Sequence, residues 1–61
     1  MRMFDFQLAM DIDGFITKFA FVLSATSFAV AVDKALIKVM KEHPVARFDG
    51  LTYYHPPLTN F

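Results

Sequence analysis

The chain has 61 residues, 56% of them apolar, with no cysteine and a formal net charge of zero. This length allows at most one domain, and a domain so short rarely buries enough apolar surface to stay folded without a staple. The absence of cysteine excludes disulfides and thiolate metal sites, and the zero net charge argues against an electrostatic nucleic-acid binder. We therefore expect lipid or a partner protein to cover much of the apolar surface.

Residues 1–13 mix apolar side chains with aspartates and predict an N-terminal arm, either a short interfacial helix or an extended segment. Asp11 or Asp13 suits the N-cap of a helix that follows, because a carboxylate there accepts hydrogen bonds from free backbone N–H groups and opposes the helix dipole.

Residues 14–43 predict the main structural element. After Gly14 neither Gly nor Pro occurs until Pro44, which disfavours helical backbone at His43. An α-helix is therefore expected from about residue 15 to about residue 42. The fold class predicted from this segment is all-α, with a single transmembrane helix between two arms.

The apolar part of this predicted helix is short for a membrane span. Residues 19–32, FAFVLSATSFAVAV, carry no charge, whereas a span needs roughly 20 apolar residues. If Lys18 extends its ammonium to the lipid headgroups, the span can begin at Gly14 and is about 28 Å long. The interfacial anchors in this interpretation are Lys18, Asp33, Lys34 and Lys38.

Two other interpretations of this segment stay open. One is a helix buried in a soluble assembly. The other is a secretory signal peptide, because Ala29 and Ala31 give the small-x-small pattern of a cleavage site. The aspartates that precede the apolar run argue against a signal peptide, which begins with a basic stretch.

Small residues recur along the predicted helix at spacings of four, three, four and four. Such a face lets another helix approach closely in a membrane, and serine hydroxyls can hydrogen-bond across the contact. The predicted helix-packing face consists of Ala20, Ser24, Ser27, Ala31 and Ala35. The alternative is that Ala and Ser are simply common in such helices.

Lysine and arginine residues are more numerous after the span than before it. By the positive-inside rule, the C-terminus should face the cytoplasm, or the matrix of a mitochondrion.

Residues 44–61 predict an extended partner-binding arm. Consecutive prolines hold the backbone extended, and aromatic side chains often carry interface energy. The residues expected to contact a partner are Phe48, Tyr53, Tyr54, Pro56, Pro57 and Phe61. Asp49-Gly50 is a hairpin-turn signal, so a hairpin stays open as an alternative, as does a flexible tail.

No pattern for catalysis emerges from the sequence. Gly14 and Gly50 stand alone, so there is no phosphate-binding loop, and Glu42 and His43 are neighbours that would point apart on a helix. We therefore predict no enzymatic activity, and no catalytic, cofactor-binding or metal-binding residues.

A short N-terminal segment, a modest span with small residues, lysines after it and a Tyr/Pro segment from Tyr53 to Pro57 occur together here. In this combination the chain resembles the single-span accessory subunits of mitochondrial inner-membrane complexes. The resemblance implies a non-catalytic structural or assembly subunit of a respiratory-chain complex, with NADH dehydrogenase favoured, then cytochrome c oxidase, the bc1 complex or ATP synthase. Its partners would be the other subunits and the lipid bilayer, with no nucleic acid. The alternative function is a single-span regulatory micropeptide that modulates one membrane enzyme or transporter.

Overall fold

The computed structural model describes residues 1–55, which form three strands and one helix. In chain order the elements are β1 (Arg2–Ile12), β2 (Phe15–Ala25), α1 (Phe28–Glu42) and β3 (Arg47–His55). The strands make one antiparallel sheet in the order β2-β1-β3, so β1 is central and β2 and β3 are its neighbours. Helix α1 packs on one face of the sheet, called here the covered face, and the opposite face is the open face.

The predicted all-α fold with one transmembrane helix is wrong. Residues 15–25, which the prediction placed in the helix, form β2, and α1 begins only at Phe28. Within residues 1–55 no helix has both the length and the apolar character to cross a bilayer. The predictions of a transmembrane respiratory-chain protein and of a location in the mitochondrial inner membrane, with the C-terminus on the matrix or cytoplasmic side, depended on that helix and are wrong with it. The predicted role as an accessory subunit of a larger complex stays a prediction.

The predicted N-terminal arm is instead the central strand, β1. Its even-numbered residues from Phe4 to Ile12 are apolar, while the odd-numbered ones between them include Asp5, Gln7 and Asp11. This period of two places the apolar side chains on one face of a strand. The buried ones beneath α1 are Phe4, Phe6, Leu8 and Met10.

A two-residue turn joins β1 to β2. Asp13 has a φ of 53° and Gly14 a φ of 86°, the left-handed values of a type I′ turn, whose twist matches that of the flanking strands. The carboxylate of Asp11 accepts a hydrogen bond of 2.9 Å from the N–H of Gly14. The two aspartates expected to cap a helix therefore build a hairpin instead.

Helix α1 begins after Ser27, whose Oγ accepts a hydrogen bond of 3.3 Å from the N–H of Val30. It ends at Glu42, two residues before Pro44, and the N–H of His43 donates to the carbonyl oxygen of Val39 at 2.8 Å. Its buried residues recur every four positions and face the sheet: Ala31, Ala35 and Val39. The two alanines let the helix backbone lie close to the phenylalanine-rich sheet.

Strand β3 returns the chain to the other side of β1. The Phe28 ring at the start of α1 lies 4.4 Å from the Tyr54 ring and 5.5 Å from the Phe6 ring, between centroids, and so ties helix and strands together. The β1–β3 register shifts twice, which leaves Thr52 and Asp49 as extra residues of β3.

Candidate strand-binding groove

The outer edge of β2 carries backbone groups that β1 does not use. In a hairpin with a two-residue loop, the residues flanking the loop form a hydrogen-bonded pair, here Ile12 and Phe15. Odd-numbered residues of β2 therefore direct their N–H and C=O groups to β1, and even-numbered residues direct theirs outward. In the part of the chain that the structure describes, no strand lies on that outer side.

Strand β2 lacks the devices that protect most edge strands. It is 11 residues long, contains no proline, has Lys18 as its one charge and pairs with β1 without a bulge. Natural edge strands are usually short, charged, bulged or covered, because free backbone groups invite another strand. An unprotected edge strand of this length is therefore unusual and indicates a site where another strand can pair.

The other edge strand, β3, is protected by comparison. Its two bulges interrupt the regular ladder, and it carries the charged residues Arg47 and Asp49. The asymmetry between the two edges points to β2 as the side that a partner strand would join.

One end of the β2 edge is already occupied. The carbonyl of Ser24, an even-numbered residue, points outward and accepts a hydrogen bond of 3.1 Å from Nζ of Lys34. The stretch that offers both N–H and C=O groups to a further strand therefore runs from Ile16 to Val22.

A groove lies on the covered face, between β2 and the C-terminal half of α1. Its cavity volume is about 420 Å³, and its lining consists of Phe19, Phe21, Lys38, Val39, Lys41 and Glu42. The Phe21 ring stacks on the buried Phe6 ring with centroids 5.9 Å apart, and the Phe19 ring lies 6.0 Å from that of His43. The core thus holds an apolar floor in place beneath a charged rim.

The charged rim consists of Lys38, Lys41 and Glu42. Its two lysines belong, with Lys34, to a row on α1 that is called here the lysine flank. Their spacings of four and three place them on one side of the helix. Lys34 reaches the β2 edge and the other two line the groove, so the lysine flank faces the outer edge of β2. On the open face of the sheet, Lys18 adds a fourth ammonium beside the same edge.

Family models, curated proteins and solved structures gave no match to this chain. Function is therefore inferred from the groove and its surroundings. Among residues 1–55, no group of three or more His, Cys, Asp or Glu side chains is placed to hold a metal ion. The absence of a cofactor and of enzymatic activity stays a prediction.

The small residues predicted to form one helix-packing face do not share a face. Ala20 and Ser24 lie on the open face of β2, and Ser27 caps α1. Ala31 and Ala35 are buried between α1 and the sheet. Close approach of small residues thus occurs here between a helix and a sheet.

The four predicted membrane anchors are all exposed, Lys18 on β2 and Asp33, Lys34 and Lys38 on α1. Their anchoring role loses its basis together with the span. Lys34 and Lys38 belong instead to the lysine flank.

The predicted partner-binding arm is partly in β3. Phe48, Tyr53 and Tyr54 are exposed residues of that strand, which pairs with β1 of the same chain, and the hairpin alternative is wrong because Asp49 and Gly50 lie within β3. Pro56, Pro57 and Phe61 lie outside the described residues. Contact of these side chains with a partner stays a prediction.

The sequence interpretation missed Phe19, Phe21 and Lys41 as residues of one site. Two signals bear on it: Asp13-Gly14 follows a strand pattern of alternating apolar residues, which predicts a hairpin, and the lysines recur at helical spacing. Neither signal reveals that the helix lies along the edge of the second strand.

Proposed function

We propose that the protein is a non-catalytic interaction protein that binds an extended segment of a partner as an additional strand along β2. The observation that supports this most directly is an unprotected edge, from Ile16 to Val22, lying beside a groove with an apolar floor. The non-catalytic role predicted from the sequence is retained, without the membrane.

Strand addition uses both features at once. The ladder of main-chain hydrogen bonds supplies affinity, and pockets for alternate side chains supply specificity. Residues of an added strand that face the covered side recur about 6.8 Å apart, which is also the spacing of Phe19 and Phe21 along β2. Each of these rings can therefore receive one side chain of the partner.

The lining of the groove favours binding over a reaction. It offers apolar rings and aliphatic surface below, with two ammonium groups and the Glu42 carboxylate at the rim. Such a lining binds an apolar segment and discriminates between segments of different charge.

The test is a proline at Ala20. The N–H of Ala20 points away from β1, so Ala20→Pro removes an outward donor and keeps the ladder to β1. Ala20→Thr is the matched control, because it keeps the N–H and suits a strand. A third variant, made by chemical synthesis, replaces the amide before residue 20 by an ester. It removes the same donor without added bulk and weakens the Phe19 carbonyl as an acceptor for β1, so its stability is measured beside its affinity.

Peptides would be selected from a random display library on the wild-type protein, and their dissociation constants measured by NMR titration. We expect Ala20→Pro and the ester to weaken binding at least about tenfold, and Ala20→Thr to change it little, with folding of each variant checked by the NMR spectrum. The proposal fails if no peptide is selected, or if the selected peptides bind the ester variant as tightly as the wild type.

A further inference from the structure

We infer that the segment bound along β2 is acidic, with apolar side chains toward Phe19 and Phe21 and Asp or Glu side chains within reach of Lys38, Lys41 and Lys18. This inference rests on the proposed function and adds the chemistry of the partner. It is carried by the position of the lysines around the edge, which the strand-addition proposal itself does not require.

Ammonium groups flank the site of an added strand on both faces of the sheet. On the covered face, Lys38 and Lys41 line the groove above the phenylalanine rings. On the open face, the side chain of Lys18 stands beside the same edge. A strand seated between them would have cationic neighbours whichever way its polar side chains point.

One carboxylate opposes these cations at the groove. Glu42 lines it, four residues after Lys38 on α1. The two lysines of the rim outnumber it. On the open face, Asp11 of β1 lies diagonally across from Lys18. The net positive charge that complements an acidic segment is therefore on the groove side of the edge.

The same charges disfavour a second copy of the chain as the occupant. Antiparallel pairing of two β2 strands about a twofold axis puts both helices on one face of a continuous sheet. The two lysine flanks would then face each other, with Glu42 as the one carboxylate among the residues that line each groove. Like charges placed opposite one another are repelled, which leaves the edge free for another protein.

The probes are three eight-residue peptides with blocked ends, in which Val occupies positions 3 and 5 and Glu, Gln or Lys fills all other positions. With both Val side chains over Phe19 and Phe21, positions 1 and 7 lie on the covered face near Lys38 and Lys41, and the even positions lie on the open face with Lys18. They are called here the Val-Glu, Val-Gln and Val-Lys peptides. Binding of each to the full chain would be followed by NMR titration at two salt concentrations. We expect the Val-Glu peptide to bind at least about tenfold more tightly than the Val-Gln peptide, the Val-Lys peptide to bind most weakly, and added salt to reduce the difference.

Two variants test whether the groove lysines cause the preference for the Val-Glu peptide. The double change Lys38→Gln with Lys41→Gln should remove most of the preference for Glu, whereas Arg47→Gln, which removes a cation from β3, should leave it unchanged. The ester at residue 20 should weaken all three peptides alike.

The outcomes separate the two proposals. If binding depends on the amide of residue 20 but the Val-Gln or Val-Lys peptide binds as tightly as Val-Glu, the acidic partner is wrong and strand addition stands. Peptide binding that is unaffected by the ester at residue 20 would contradict both strand addition and the acidic partner. A dimer of the chain alone in sedimentation experiments, abolished by the ester, would make a second copy the occupant and overturn the acidic partner.

Discussion

The ammonium of Lys34 donates a hydrogen bond of 3.1 Å to the backbone carbonyl oxygen of Ser24, joining the exposed side of α1 to the outer edge of β2. Ser24 lies at the end of β2 where the chain leaves the sheet for the helix. The contact covers that end of the edge and leaves the stretch from Ile16 to Val22 uncovered. It also shows that the lysine flank lies over β2.

The left-handed turn between β1 and β2 can be tested with two matched glycine substitutions. A Cβ at Gly14 or at Gly50 would meet no atom within 4 Å, but Gly14 has a φ of 86°. Gly14→Ala should therefore lower the free energy of unfolding by about 1–2 kcal/mol through backbone strain alone. Gly50→Ala should leave it nearly unchanged. Urea unfolding followed by circular dichroism measures both, and equal effects would contradict the turn.

The burial of β1 beneath α1 can be tested with two leucines that lie opposite each other. Leu8 is fully buried, whereas its partner Leu51 is 44% exposed. Leu8→Ala should destabilise the fold by about 2–5 kcal/mol, enough to unfold most of a domain this small. Leu51→Ala should cost far less. Equal decreases of the two urea midpoints would contradict the burial of Leu8 beneath α1.

The first hairpin can be predicted from the local sequence, but the end of β2 cannot. β1 has a clean period of two, and Asp13-Gly14 supplies the turn. In β2, however, both faces carry apolar residues, so its pattern merges with that of α1 into one uncharged run. Thr26 and Ser27 break that run without Gly or Pro, and periodicity cannot separate a buried strand from a helix in such a run.

The end of the helix can be predicted from a local signal in the sequence, whereas the groove cannot. Pro44 acts on the residues next to it, so the predicted helix end at about residue 42 agrees with Glu42. The groove joins Phe19 to Lys38, which are far apart in sequence, and exists because β2 lies at the edge of the sheet. The strand order that puts it there is set by packing of the whole chain.

The close contact of α1 with the sheet depends on its small buried residues. Ala35 is fully buried against the sheet, while Ala29 is exposed on the same helix. Ala35→Leu should destabilise the protein by about 1–3 kcal/mol through overpacking, and Ala29→Leu should have little effect. Thermal unfolding of the two variants provides the comparison. A harmless leucine at position 35 would show that the helix is not seated as described.

The start of α1 depends on its serine cap. Ser27→Ala removes the acceptor for the N–H of Val30 and should cost about 1 kcal/mol, whereas Ser27→Asp keeps an acceptor and should retain stability. The free energies of unfolding of the two variants measure this. If alanine and aspartate destabilised the protein equally, another residue would begin the helix.

The open edge of β2 is tested most directly by residue-resolved amide hydrogen exchange in the free protein. The N–H groups of Ile16, Lys18, Ala20 and Val22 point outward and should exchange quickly, while those of Thr17, Phe19 and Phe21 bond to β1 and should be protected. Alternation between fast and slow amides along β2 is the predicted result. Uniform protection from residue 16 to residue 22 would contradict it, because it would mean that the segment is a helix or that its edge is already paired.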